Sequence, residues 1–317
     1  MSPDILRTPI PAAASNDLPV VSIVTPSFNQ ASYLEATIRS VLDQDYPRLE
    51  YIVIDGGSTD GSLEILRRYE SRLAVLVSEP DRGQTDAINK GFALARGEIL
   101  AWLNSDDTYR AGAIAEAVAY LCKHPEVGMV YGAAYYIDAA GRQVGRFRAA
   151  PTDHARLRRG VTGIPQQAMF FRSRLWRMAG PLDPTFQFAM DYDLWVRLAA
   201  LTPIAYHPRD WANFRLHGSS KTLTEANRCW PEMLRVHYRE GGSRASILVA
   251  KSIVRRWVEP IMPLRLRWRL WKFSRQQSGA VPPPETMKPG EAQPDGVVKS
   301  PADGGPATDP GTAQGRR

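Results

Sequence analysis

The sequence predicts an α/β fold: a doubly wound, mostly parallel sheet with helices on both faces. Three observations carry this expectation. Between residues 20 and 103, short apolar runs alternate with stretches of helical periodicity. Each apolar run ends abruptly in a polar loop rich in Asp, Asn, Ser and Gly. The composition, 44% hydrophobic and 9% aromatic over 317 residues, suffices for a sizeable core and excludes a wholly disordered or collagenous chain.

The elements follow in order. Val20–Thr25 (VVSIVT) is a short apolar run closed by Pro26, as in a strand buried on both faces. Ser32–Gln44 places Leu34, Ile38, Val41 and Leu42 at helical spacing. Tyr51–Ile54 (YIVI) is a second strand cut off by Asp55-Gly56-Gly57, and Ser58 or Thr59 is expected to cap the helix that carries Leu63, Ile65 and Leu66. Leu73–Val77 (LAVLV) is a third strand, Thr85–Arg96 a third helix and Ile99–Leu103 (ILAWL) a fourth strand. Further on, Gln166-Gln167 precede an apolar strand, and Asp191 opens a helix with Leu194, Trp195 and Leu198 at helical spacing.

Composition also bounds function. Cys122 and Cys229 are the two cysteines, with no CxxC pair and no zinc spacing, so each is expected as a small buried hydrophobe. No run approaches the roughly 18 apolar residues of a membrane span, and the N-terminus lacks the pattern of a secretion signal, so a reducing cytoplasm is the expected compartment. The net charge of +7 is unevenly placed: residues 244–275 hold nine Lys or Arg and one Glu, a segment charge of +8, leaving the remainder at −1. Residues 276–317 contain eight Pro, seven Gly and no aromatic residue, and are expected to be disordered, as are residues 1–19. The folded body is thus expected over 20–242, without internal repeats.

In a doubly wound sheet, ligands bind beyond the carboxyl ends of the strands. The residues there are Pro26-Ser27-Phe28-Asn29, Asp55-Gly56-Gly57-Ser58, Glu79-Pro80-Asp81-Arg82-Gly83-Gln84 and Asn104-Ser105-Asp106-Asp107. Good turn formers explain one such loop; four in succession, bringing several carboxylates to one rim, point to a site. Neither GxGxxG after the first strand nor GxxxxGK[ST] is present, which disfavours dinucleotide and P-loop chemistry. Clustered carboxylates facing a phosphate-bearing ligand call for a divalent cation, Mg2+ or Mn2+.

The segments VSIVTPSFNQ (21–30), YIVIDGGSTDGS (51–62), SEPDRGQTDAINKG (78–91), ILAWLNSDD (99–107), FAMDYDLWVRLA (188–199) and ANFRLHGSSKT (212–222) resemble glycosyltransferase family 2, in that family's order and spacing. The resemblance covers about two thirds of the chain. It implies the GT-A fold and the inverting transfer of a sugar from a nucleotide-sugar donor, by family habit a UDP-sugar. It places Pro26, Ser27, Asn29 and Asp55 around the nucleoside, and Asp81, Arg82 and Asp86 near the donor. Asn104, Ser105 and Asp106 fall on the donor-binding Asp-x-Asp motif, whose first acid is here Asn104. Asp106, Asp107 and His217 are the implied metal set. Asp191 is the implied catalytic base; the Glu usual before it is replaced by Met190. An acceptor hydroxyl needs such a base, and the leaving diphosphate needs the cation. On residue type alone, Asp191 also suits a helix cap and His217 a structural histidine. Gln166 and Gln167 reach either the acceptor or nothing beyond their loop, and Trp195 belongs either to the core or to an acceptor-stacking platform.

Residues 245–275 interleave Trp257, Trp268, Trp271 and Phe273 with arginines, broken by Pro260 and Pro263. Such a basic amphipathic segment lies on an anionic membrane surface or packs on the body with its arginines solvated. Nucleic acid is not an expected partner, because the charge is confined to this segment. The expectation is therefore an inverting, metal-assisted hexosyltransferase of bacterial type in cell-surface polysaccharide or glycolipid synthesis. It would act on a saccharide or lipid-linked acceptor, peripherally bound at the inner face of the membrane. The rival class is a non-catalytic module that binds nucleotide-sugar or a membrane surface.

Overall fold

A computed structural model describes residues 6–7, 18–218, 220 and 226–258. The remainder of the N-terminal segment, the end of the basic segment beyond 258 and the Pro/Gly-rich stretch 276–317 lie outside the described residues.

Four strands form the half of the sheet that carries the loops: β2 (Val21–Ser27), β3 (Leu49–Asp55), β4 (Val75–Ser78) and β5 (Ile99–Trp102). They run parallel in the order β4-β3-β2-β5. The two-residue strand β1 (Leu6–Arg7) pairs antiparallel with the outer edge of β4, in a stretch expected to lack order. An edge strand offers unpaired amides and carbonyls that any extended segment can take up.

The other half departs from the parallel expectation. Its strands are β6 (Thr108–Tyr109), β7 (Met129–Ile137), β8 (Gln143–Arg146), β9 (Met169–Arg172) and β10 (Ile204–Arg215). β9 is antiparallel to both β5 and β7, β10 is parallel to β7, and β6 closes the path antiparallel to β10. β8 folds back on β7 as a hairpin. The described residues thus form a ten-stranded mixed sheet.

Side chains alternate between the two faces, and each face has its own core. On one side Ile23, Tyr51, Val53 and Ala101 pack under α1 (Ala31–Leu42), α2 (Ser62–Tyr69) and α4 (Ala113–Lys123), with Leu34, Ile38, Leu66 and Leu121. On the other, Val24, Ile52, Ile54 and Trp102 meet Phe92 of α3 (Gln84–Leu94), Leu157 of α5 (His154–Leu157) and Leu175 of α6 (Ser173–Ala179). Leu194 and Leu198 of α7 (Met190–Leu201) and Val236 of α8 (Ala226–Arg239) join them. The last described helix is α9 (Ile247–Val258).

Three local expectations are corrected. α2 starts at Ser62 behind Gly61 (φ 94°), not after Ser58 or Thr59. Ser58 is held instead by Asp55, to which its hydroxyl donates at 2.5 Å. α3 ends at Leu94 because Ala95 is extended, and the Arg96 and Gly97 amides donate to buried Glu50 (2.8 Å) and Ser22 Oγ (2.8 Å). Cys122 is exposed and Cys229 partly buried. The inward positions of α4 are Ile114, Ala117, Val118 and Leu121, which leaves Cys122 facing out.

Candidate active site

The carboxyl ends of the parallel strands finish on a common line. Ser27 of β2 is in register with Asp55 of β3, and Asp55 with Ser78 of β4. Asp55 is fully buried. One of its carboxylate oxygens accepts the amides of Gly57 (3.2 Å) and Ser58 (3.0 Å) and the hydroxyl of Ser78 (2.8 Å), while the other accepts Ser58 Oγ. Asp55 therefore holds the floor of the loop. Pro26 and Ser27 are also buried, and Ser27 Oγ has no partner among the described residues.

Asn29 ties the first loop to the second. Its amide donates to Ser58 Oγ (2.8 Å) and its Oδ1 accepts the Thr59 amide (2.9 Å). Its φ of 51° is a left-handed conformation that Asn tolerates better than most residues. Phe28 beside it is 58% exposed, a large apolar surface on the rim.

Asp81 closes over Gly56 so tightly that a Cβ there would lie 2.7 Å from its Oδ2. The other Asp81 oxygen accepts the amide of Gly83 (2.7 Å), the residue that caps α3 with φ 107°. In the first turn of α3, Asp86 takes Arg82 at 2.8 Å and Lys90 at 3.5 Å, and hydrogen bonding from Arg82 holds its carboxyl below the usual range. Arg82 itself stands largely in solvent.

Asn104, in the place of a motif acid, belongs to a chain of amides. Its Oδ1 accepts from Gln84 Nε2 (2.7 Å), its Nδ2 donates to Gln166 Oε1 (3.4 Å), and Gln166 Nε2 donates to the carbonyl of Trp102 (2.8 Å). A carboxylate could accept from Gln84 but could not donate to Gln166, so Asn suits this position.

Asp106 and His217 come together, Oδ2 to Nε2 at 3.0 Å, with the imidazole buried and leaning on the Tyr33 ring at 4.5 Å. Arg215 lies over that ring at 5.0 Å and donates to the Asp106 carbonyl. Asp107 does not join them. Its Oδ1 accepts the Arg215 amide at 2.8 Å, and its carbonyl accepts from Thr37 Oγ1. Burial, with the charge of Asp106 beside it, pushes its carboxyl well above the usual range. Asp107 is thus a structural tie between β10 and the motif loop, and among the described residues no three His, Cys, Asp or Glu side chains gather. Ser105 is buried in the same loop. One carboxylate and one imidazole, completed by diphosphate oxygens and water, still form a donor set that fits Mg2+ or Mn2+.

Asp191 sits in the first turn of α7, behind Ala189, which caps the helix without a side-chain bond. Its Oδ1 accepts the Tyr192 amide at 2.7 Å. Burial pushes its carboxyl up to about 6, with a smaller contribution from the charge of Glu232 on α8. Asp193 is the structural acid of this turn: buried, it takes Arg197 at 2.9 Å and Arg239 at 2.5 Å. Met190 is buried in the apolar core, which explains an apolar residue where the family has an acid. The segment before α7 is fastened to α3, where Thr85 Oγ1 donates to the Phe186 carbonyl (3.0 Å) and Asn89 Nδ2 to that of Leu182 (2.9 Å). Asp191 is thereby tied to the helix that begins at the Asp81 loop.

Among the acceptor candidates, Gln166 reaches Asn104 as described. Gln167 is buried, and its Nε2 has no partner among the described residues. Trp195 packs in the core with Leu194 and Leu198. Sequence reasoning placed Gln84 on the rim without a role and missed Ser78, Tyr33, Arg215 and Glu232. Ser78 stands at a strand end and could have been read; the other three meet the site only through tertiary packing.

A family model described as Glycosyl transferase family 2 matches residues 22–184, just over half of the chain. Asp191, His217 and Glu232 lie beyond that match. An uncharacterized glycosyltransferase of Mycobacterium tuberculosis is 38% identical over 186 residues, 57% of this chain and 69% of the relative. A Bacillus subtilis relative, TuaG, named for teichuronic acid biosynthesis, is 38% identical over 110 residues, 34% of this chain and 44% of its own length. Among solved structures, S. aureus TarS 1-349 in complex with UDP-GlcNAc superposes with a TM-score of 0.58 at 17% identity, over 81% of this chain and 74% of TarS. The mannosyltransferase PcManGT of Pyrobaculum calidifontis, in complex with GDP-Man and Mn2+, gives 0.57 at 20% identity, over 84% of this chain and 77% of that one. Both have the GT-A fold, the architecture described above, and the chain belongs to glycosyl transferase family 2.

Proposed function

We propose that this glycosyltransferase moves a hexose from a nucleoside diphosphate donor, a UDP-sugar before others, to an acceptor hydroxyl with inversion. The observation that carries the reading is the Asp191 carboxyl, held at about 6 at the head of α7 and tied through the 182–186 segment to α3. A base of that strength is ionised at neutral pH and still takes up a proton as the hydroxyl attacks. The acceptor O–H proton passes to Asp191 as the acceptor oxygen bonds the anomeric carbon. The bond from that carbon to the diphosphate breaks, and the nucleoside diphosphate leaves with the electron pair.

The donor lies across the carboxyl ends of β2–β5, over the loop that Asp55 braces, with Asn29 and Asp81 shaping its walls. Asp106 and His217 would hold Mg2+ or Mn2+, which neutralises charge on the leaving diphosphate. The complexes of TarS with UDP-GlcNAc and of PcManGT with GDP-Man and Mn2+ support a nucleotide-sugar donor and a cation here. The name of TuaG supports a role in cell-surface polysaccharide or glycolipid synthesis, on a saccharide or lipid-linked acceptor.

Attachment at the inner membrane surface through the basic segment 245–275 belongs to the same proposal. Among the described residues no helix is long and apolar enough to cross a membrane. Exposed Ile253 and Val254 on α9 support surface contact.

Asp191→Asn tests the reaction. The variant is expected to keep the thermal stabilisation given by a UDP-sugar with Mn2+ while transfer falls by about 10²–10⁴-fold. Retention of most activity would overturn the assignment of the base.

A further inference from the structure

The segment that delivers Asp191 to the site turns on its own hydrogen bonds at 183–187, but the backbone amides of 187–189 have no partner within it. Ala189 caps α7 without a side-chain acceptor, so the amides around the helix start must find partners elsewhere. They find one carboxylate from a distant helix. Glu232 of α8 accepts the amide of Gln187 with both oxygens (3.0 and 3.1 Å) and the amides of Phe188 and Ala189 with Oε2 (2.8 Å each). The same helix grips the segment by its side chains. The Arg235 guanidinium lies 3.7 Å from the centre of the Phe186 ring and donates to Thr185 Oγ1, and Arg228 lies over the Phe188 ring at 5.1 Å.

From this geometry we infer that Glu232 is a positioning residue for sugar transfer: by binding the three consecutive amides of 187–189 it fixes the start of α7 and so the aim of the Asp191 carboxylate. The inference rests on Asp191 being the base. It assigns a role in the reaction to a residue 41 positions downstream of that base, beyond the matched family region.

Glu232 also acts on Asp191 by charge. Its negative charge opposes ionisation of Asp191 and raises that carboxyl. The neighbouring cations are engaged elsewhere, Arg197 and Arg239 with Asp193, and Arg235 with Asp183. Loss of the Glu232 charge therefore weakens the base as well as loosening its mount.

The test uses the full chain with Glu232→Ala, Glu232→Gln and, as reference, Asp191→Asn. In Glu232→Ala, kcat is expected to fall by at least about tenfold, since small misplacements of reacting groups are costly. The donor KM should stay within about twofold, and the amides of 187–189 should exchange with solvent faster. Glu232→Gln keeps an acceptor oxygen but no charge. It should recover most of that kcat, and the acidic limb of its kcat–pH profile should move to lower pH. If Glu232→Ala does not fold, Glu232→Gln alone decides: an unmoved acidic limb together with wild-type kcat overturns the inference. So does a Glu232→Ala enzyme with kcat within about twofold of wild type beside an inactive Asp191→Asn. A kcat loss without faster exchange at 187–189 overturns it too. An active Asp191→Asn would instead remove the base assignment, and the positioning role with it.

Discussion

The burial that raises the Asp191 carboxyl, and on which its proposed role as base draws, also costs stability. The native protein holds this proton up to a pH of about 6, whereas the unfolded chain releases it near 3.8. Between those values the native state binds more protons than the unfolded state, so the contribution of Asp191 to stability falls as pH rises through that window. Above pH 6 the penalty is constant, at about 3 kcal/mol as an upper bound. Asp191→Asn removes the charge and with it the penalty. The variant should melt roughly 5 °C higher than wild type at pH 8, and the gap should close below pH 4. A melting temperature at pH 8 equal to or below that of wild type would refute this account. Other site residues show how far residue identity carries. Asp55 and Asn104 were placed in the site by sequence, but their geometry was not legible there. Asp55 spends its carboxylate on Gly57, Ser58 and Ser78, and Asn104 bridges Gln84 and Gln166. Asp106 and Asp107 are adjacent in sequence yet opposite in role, because the Arg215 amide, more than a hundred residues away, claims only Asp107.

Among the elements, those in the first hundred residues were the most legible. Strands buried on both faces must be short continuous apolar runs, and their crossover helices must be amphipathic, so both patterns stand out. β6, β8 and β10 are harder to read: β8 is part-exposed along its length, and β10 carries register shifts between Tyr206 and Ala212. Packing between elements is written at Gly91, which faces β2 from α3. A Cβ there would collide with Val24 Cγ1 and lie 2.9 Å from Cγ2. Helix propensity alone favours Ala over Gly by about 1 kcal/mol. Overpacking a filled core costs about 1–3 kcal/mol, and β2 cannot yield because it is hydrogen-bonded to β3 and β5. Gly91→Ala is therefore expected to lower stability by about 1–2 kcal/mol, read as a lower denaturant midpoint at unchanged slope. A stabilised variant would mean that α3 can lift from the sheet.

At the scale of the whole molecule, the net charge of +7 divides into a body near −1 and a segment, 244–275, at +8. In the proposed reaction the sheet rim handles the diphosphate with Asp106, His217 and a cation, and that reading gives the arginines of the segment no part in the chemistry. α9 opens that segment and has two aspects. Leu248 is buried against the position of Gly160, while Lys251, Ile253 and Val254 face outward. Apolar side chains beside cations suit the boundary between headgroups and acyl chains, where each basic residue near an anionic surface contributes about 1 kcal/mol. Replacing Arg255, Arg256, Arg265, Arg267 and Arg269 by Glu should therefore abolish co-sedimentation with vesicles rich in anionic lipid. Donor-induced thermal stabilisation should be unchanged, because no rim residue is replaced. Raised salt should weaken wild-type binding in the same direction, since the attraction is screened within about 10 Å at 0.1 M. Equal co-sedimentation of wild type and the charge-reversed variant would show that the segment does not hold the enzyme at a membrane.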